Sequence, residues 1–285
     1  DVERSRGLGD VYKRQDLELQ YIDATEAEDA LSDEVAAVLL SPVQYRTGVR
    51  VDLPRVQASA TRHDIPVVWD LAHAAGAYPL ELDHWGVEYA VGCGYKFLNG
   101  GPGAPSFAFV AQPRQAELEP VISGWFGHQD PFDFASRYLA AKDINRLQVG
   151  TPPILSMLAL EAAVEELMQT PTTELWLQSQ QLFDSLHQAL IDAPEFVDCK
   201  VVTPANADHR GSQLSITHVN AHALCRALAE EKVIADYREP GILRIGLAPA
   251  YNTLGEVQDA ARILLGILRS GIWKEERFSE RQAVT

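Results

Sequence analysis

Three residues in the middle of the chain have types and spacing that could do chemistry. Asp70 follows the apolar run VVW, His73 stands three residues later, and Lys96 comes 26 residues after Asp70, behind a second apolar run from Val87 to Cys93. Each run reads as a buried strand, so the carboxylate and the amine fall just beyond strand carboxyl ends, where ligands collect in open α/β sheets. A carboxylate there can pair with a pyridinium nitrogen, and a lysine in the same cleft can form a Schiff base, the equipment of a pyridoxal phosphate enzyme. Lysine suits that role because desolvation lowers its pKa and leaves a neutral amine to attack an aldehyde. Each residue also has a plainer reading: Asp70 as a strand-end cap, Lys96 as a solvated surface lysine, His73 as a satisfied polar residue.

The elements that must position these residues follow from the apolar runs and their breakers. A strand is expected in DLELQYID from Asp16, an acidic helix-like stretch after Thr25, and a strand in VAAVLL that ends at Ser41-Pro42. Residues 52–63 read as a helix, and Pro66 with VVW as a buried strand into Asp70. Strands alternating with short helices imply an α/β fold with a mostly parallel sheet. Thr151-Pro152-Pro153 should stop one element and start a helix, with Thr151 as a cap and Leu155, Leu158, Ala159, Ala162 and Ala163 on its apolar face. A second helix follows Pro171, with Leu175, Leu182, Phe183, Leu186 and Leu190 on one side. Beyond Pro194 come strands in CKVVTP and SQLSITHV, a helix from Asn220 to Glu231, strands near VIADYR and ILRIGLA, and a last helix from Asn252 to about Arg269. The expected organisation is a leader at 1–15 without apolar periodicity, a large unit at 16–155, and connecting helices with a smaller α+β unit at 156–285.

At 285 residues and 31.4 kDa the chain is long enough for a sizeable core. Surface scaling for that mass gives roughly 12,000 Å² exposed after folding. Against 40 Asp and Glu there are 24 Lys and Arg, a formal charge of -16 that repels phosphate backbones and anionic lipid, so neither nucleic acid nor a membrane surface is an expected partner. Cys93, Cys199 and Cys225 fit neither a disulfide framework nor a zinc spacing, and no metal site is expected. With no apolar run long enough to span a bilayer, the expectation is a cytoplasmic protein.

The segment WDLAHAAG, the block HWGVEYAVGCGYKFLNGGPG, GWFGH at 124–128 and ILRIGLAPAYN at 242–252 together resemble kynureninase, a fold-type I pyridoxal phosphate hydrolase, from about Asp16 to about Arg269. The resemblance implies Lys96 as the Schiff-base lysine, Asp70 as the partner of the pyridine nitrogen, and His73 and Ser41 as further cofactor contacts. It also implies Tyr95 at the cofactor phosphate and in proton transfer, Trp125 on the phosphate side from a neighbouring subunit, Thr151 as a further cofactor contact, and Arg244 on the substrate α-carboxylate. The implied reaction is hydrolysis of L-kynurenine, or of 3-hydroxy-L-kynurenine, to anthranilate or 3-hydroxyanthranilate and L-alanine. That places the protein in tryptophan degradation and NAD biosynthesis, as a homodimer with shared active sites. Apart from the resemblance, Trp125, Phe126 and His128 read as core or interface residues, Arg244 as a surface ion-pair partner and Cys93 as a small buried hydrophobe. Gly100, Gly101 and Gly103 read as a tight turn rather than a phosphate loop.

The resemblance also marks a departure. The family's phosphate-binding loop and ring-stacking aromatic lie upstream of the matched region, so the expectation is an N-terminally truncated chain with an incomplete sheet, weak cofactor binding and little turnover. The alternatives are a cysteine desulfurase or class V aminotransferase relative, or an inactive partial chain.

Overall fold

The computed structural model describes residues 18–280. The first sheet is built from β1 (Val38–Leu40), β2 (Val67–Asp70), β3 (Tyr89–Cys93) and β4 (Ser106–Val110), side by side in that order. β1, β2 and β3 are parallel and β4 returns antiparallel to β3. The parallel step from β1 to β2 needs a crossover, and α1 (Leu53–Arg62) supplies it. Asp52 starts this helix by accepting the Arg55 N–H, with Pro54 in the first turn, where no donor is missed. Leu53, Val56 and Ala60 on its inner side pack into one core with Val67, fully buried Trp69 and Ala90. The indole N–H of Trp69 donates to Gln57 Oε1 at 2.8 Å, which satisfies both buried polar groups.

The second sheet holds β5 (Lys200–Val201), β6 (Gln213–Thr217), β7 (Asp236–Arg238) and β8 (Ile242–Gly246), in the order β5-β6-β8-β7 and antiparallel throughout. Between the sheets run α2 (Ile154–Leu167) and α3 (Thr172–Ile191), and around the second sheet stand α4 (Ala221–Glu230) and α5 (Leu254–Ser270). Leu214, Ile216, Leu243 and Ile245 of the sheet share a core with Leu182, Phe183 and Leu186 of α3, Leu224 and Leu228 of α4, and Leu264 of α5. Thr253 and Glu256 close a capping box at the start of α5, and Gly271, left-handed at φ 68°, ends it.

Four expectations need correction. DLELQYID forms no strand in its described part, residues 18–23, and the stretch after it is a single helical turn, Ala24–Glu26. Thr151 does not cap α2: Pro153 is the cap position, without a side-chain cap bond. The helix forms as expected, but the face with Leu155 and Leu158 is turned to solvent, Leu155 being 85% exposed. The half-buried positions are Ser156, Leu160, Val164 and Leu167, together with Ala163 from the expected face. An all-round apolar sequence has no strong periodicity to say which face turns inward.

Backbone and side chains tie the two sheets together. The turn after Ser41 is stabilised by Gln44 Oε1, which accepts the N–H groups of Arg46 and Thr47. Residues from the second unit grip that turn: Thr203 Oγ1 donates to the Thr47 carbonyl at 2.6 Å and Gln213 Nε2 to the Tyr45 carbonyl at 3.1 Å. Nearby, the fully buried Arg210 guanidinium lies 3.8 Å over the Phe183 ring and 5.6 Å from that of Trp176, while Arg50 lies over Tyr78 and Trp176. Among the described residues no helix is long and apolar enough to cross a membrane.

Ile122, Phe132, Phe134 and Leu155 are among the uncovered apolar side chains. The second core is well packed by contrast. Leu243→Ala, at a fully buried position on β8, is expected to lower unfolding stability by about 2–5 kcal/mol. Urea denaturation checks this, and an unchanged midpoint would contradict the packing described.

Candidate active site

Because β1, β2 and β3 run the same way, their carboxyl ends deliver Ser41, Asp70 and Cys93 to one edge of the first sheet. Past β3 the chain turns at once. Gly94 N–H donates to the Pro105 carbonyl at 2.9 Å, Asn99 N–H to the Lys96 carbonyl at 2.9 Å, and Gly100 N–H to the Gly94 carbonyl at 2.9 Å. Gly101 and Gly103 take left-handed φ values of 74° and 83°, and Ala104 N–H closes onto the Gly101 carbonyl, so this segment is a tight structural turn. Leu160 of α2 covers it. The turn therefore holds Lys96 above the same edge that carries Asp70.

His73 arrives from the loop after β2. Asp70 Oδ1 accepts the Ala72 N–H at 2.9 Å, which fixes the first step of that loop, and its remaining acceptor capacity is met by no other described residue. Gly76 then lets the loop pass against the lysine turn: at φ 81°, a Cβ there would stand 2.5 Å from the Phe97 carbonyl oxygen. The result is a 3.1 Å contact between Lys96 Nζ and His73 Nε2. Burial is the main cause that pushes His73 down to about 3, with the charges of Lys96, Arg244 and Arg238 adding to it. The imidazole is therefore neutral at pH 7, and Nε2 accepts from the Lys96 ammonium.

Lys96 is half-buried, and that desolvation holds its ammonium below the ordinary lysine range. Cys93 and Asp70 oppose the shift, while Arg244 and Arg238 reinforce it. The Tyr95 ring lies 5.4 Å from Lys96 Nζ. Its phenol is raised by burial first and then by the neighbouring Cys93 thiol, which keeps it protonated even though the residue is 51% exposed. Cys93 is half-buried in the same cluster, with Sγ 3.9 Å from the Ala72 carbonyl.

Arg244 reaches the cluster from β8, where its guanidinium is nearly buried. It pairs with Asp236 and donates through Nη1 to the Tyr45 carbonyl at 2.7 Å, so the surface ion-pair reading of this residue is replaced by a buried one. Arg238, which the sequence reading passed over, lies close enough for its charge to act on His73, Tyr95 and Lys96. Its alternation with Asp236 on an edge strand was the available signal. Ser41 Oγ is engaged with the Val43 carbonyl at 2.9 Å. Trp125 and Thr151 stand outside this hydrogen-bonded cluster: Trp125, 44% exposed, packs edge-on against Phe126 and Phe132, and Thr151 is exposed ahead of α2. His128 contacts the Tyr138 ring and accepts the Asp130 N–H at 2.9 Å.

Two outcomes follow from this geometry. Gly76→Ala forces a side chain into left-handed backbone and against Phe97, at an expected cost of about 1–3 kcal/mol, read as a lower denaturation midpoint. His73 binds protons far less readily folded than unfolded, so its contribution is complete above about pH 6.5 and is lost as pH falls toward about 3. Melting temperatures of the parent and of His73→Asn between pH 7.5 and pH 5 test this. The parent should lose more on acidification, and equal losses would contradict a neutral buried imidazole.

Known proteins can be set beside this geometry. The kynureninase C-terminal domain family matches residues 175–264. The chain is 40% identical over 253 residues to the kynureninase of Deinococcus radiodurans, covering 89% of this chain and 62% of that protein's length. It is 38% identical over 286 residues to the kynureninase of Burkholderia pseudomallei, covering 100% of this chain and 68% of the relative. Among solved structures, a cysteine desulfurase from Thermococcus onnurineus NA1 superposes with a TM-score of 0.74 at 16% identity, over 87% of this chain and 64% of that one. The cysteine desulfurase CsdA of Escherichia coli does so at 0.72 and 19% identity, over 88% and 62%. The likeness to the desulfurases is one of fold, whereas the sequence identity runs along the whole active-site segment and the second sheet: the chain belongs to the kynureninase family.

Proposed function

We propose that this chain binds pyridoxal phosphate at the Lys96 edge and serves the hydrolysis of L-kynurenine or 3-hydroxy-L-kynurenine to the corresponding anthranilate and L-alanine. The observation that carries the reading is the half-buried Lys96 amine, depressed by desolvation, 3.1 Å from a neutral histidine and over the strand edge that bears Asp70. These residues fit the cofactor chemically. Lys96 is the amine for its aldehyde, Asp70 an acceptor with spare capacity for the protonated ring nitrogen, and Tyr95, His73 and Ser41 polar groups at the same edge. Trp125 and Thr151 remain proposed contacts, with Trp125 acting across a subunit boundary. When bound, the cofactor supplies an electron sink for bonds breaking next to the substrate nitrogen.

The rest of the work falls to the chain. Lys96, its pKa lowered by burial, gives up its proton more readily than a solvated lysine, so its neutral amine is available to serve as the base at the substrate α-carbon. His73 is held neutral, so it steadies Lys96 through Nε2 without adding a second positive charge. Tyr95, held protonated, is the donor for the carbon released when the Cβ–Cγ bond is hydrolysed. Arg244 takes the substrate α-carboxylate in a geometry that a lysine could not match.

The desulfurase alternative requires a mobile nucleophilic cysteine. Cys199 and Cys225 are half-buried, and burial pushes both thiols up to about 11, which weighs against that role. The exposed apolar side chains Ile122, Phe132, Phe134 and Leu155 support a homodimer. Its free thiols suit a reducing cytoplasm.

Borohydride reduction in the presence of pyridoxal phosphate, followed by peptide mapping, should label Lys96, and a label on another lysine would remove it from the role. Asp70→Ala should retain that label and lower anthranilate formation by on the order of 10²–10³-fold. Turnover near that of the parent would exclude Asp70 from the chemistry.

A further inference from the structure

Arg244 is held from two sides by groups that the proposed function does not use. On β8 it stands directly opposite Asp236 of β7, and Arg238, two residues along β7, shares their face of the sheet. The Asp236 carboxylate accepts from Arg244 Nε at 3.0 and 3.1 Å and from Nη2 at 2.5 Å. Nη1 donates to the Tyr45 carbonyl at 2.7 Å, and Gln213 Nε2 reaches the same oxygen at 3.1 Å. Asp236 holds Arg238 more loosely, with Nε and Nη2 at 3.3 and 3.4 Å.

A guanidinium carries one N–H on Nε and two on each Nη. Asp236 takes the Nε donor and one on Nη2, and Tyr45 takes one on Nη1. One N–H is left on each Nη, which is the set a substrate carboxylate needs for a two-point contact. Only 9% of the Arg244 side chain is exposed, so its orientation is set by these partners rather than by solvent.

We propose that Asp236 is a positioning residue for Arg244: its carboxylate locks the Nε–Nη2 edge and thereby aims the two remaining donors, which sets the enantiomer the site accepts. This rests on the assignment of Lys96 and Arg244 given above. An electrostatic contribution from Asp236 would act equally on L- and D-amino acids, because both carry the same charges. An orienting contribution acts differently on the two, because an amine held at the cofactor and a carboxylate held at a fixed guanidinium leave the side chain one allowed direction.

The test is titration of the chain, in excess pyridoxal phosphate, with L-alanine and with D-alanine, followed by visible circular dichroism, a signal that free cofactor lacks. The parent is expected to bind the L enantiomer at least about tenfold more tightly. Asp236→Asn should bring that ratio below about threefold while the signal of the protein-bound cofactor persists, and Asp236→Glu, with the same charge and cross-strand pair, should lower it by about threefold. A parental ratio in both variants overturns the proposal, as does equal weakening of both enantiomers, the mark of a merely structural or electrostatic role. Two other results are distinguishable from these. A parent without a visible dichroic band refutes the cofactor reading itself, and an Arg244→Gln variant that keeps the preference places the carboxylate elsewhere and refutes the inference together with that assignment.

Discussion

Parallel pairing of β1, β2 and β3 is the constraint on which the rest of the site depends. Residues that follow three parallel strands must emerge on one edge, whatever their distance in sequence, and here they are Ser41, Asp70 and the turn that carries Lys96. Antiparallel pairing of β2 with β3 would send Asp70 and Lys96 to opposite edges, and antiparallel pairing of β1 with β2 would part Ser41 from both. β4 is free to return antiparallel because it contributes the wall of the lysine turn, through the Pro105 carbonyl, and none of the cluster's ionisable groups.

The second requirement is a fixed relation between the sheets. It is met on one turn, where the Tyr45 carbonyl receives both Arg244 and Gln213 and the Thr47 carbonyl receives Thr203. Backbone carbonyls make suitable anchors because they do not titrate and move only with the chain. The same turn begins at Ser41, so the strand edge that bears the candidate cofactor contacts also sets the place of the guanidinium. The charges that gather there leave one positive charge in excess. Lys96, Arg238 and Arg244 act with one sign, Asp70 and Asp236 with the other, and burial keeps His73 neutral among them.

Much of the secondary structure was legible. Runs such as VVWD, VGC and ILRIG are bounded by breakers and became β2, β3 and β8, and the leucine spacing after Pro171 became the buried face of α3. The misreadings share a cause. DLELQYID alternates like a strand yet forms none within the described residues, because a strand exists only where a neighbour completes its ladder. α2 was identified as a helix but assigned the wrong inner face, because a helix apolar all round takes its orientation from what packs against it, here the turn beneath Leu160.

By itself the sequence determined the identities that chemistry requires: a lysine and an aspartate after successive apolar runs, an arginine on a strand of the C-terminal part, and motifs specific enough to name a family. It determined these because residue type and local periodicity are properties of short segments. Only the tertiary structure decided that His73 Nε2 meets Lys96, that burial leaves that histidine uncharged, and that Arg244 is gripped by Asp236 and a carbonyl 199 residues away. Desolvation and hydrogen-bond partners depend on which distant segments share a volume, and that is settled by the packing of the two sheets against the turn between them.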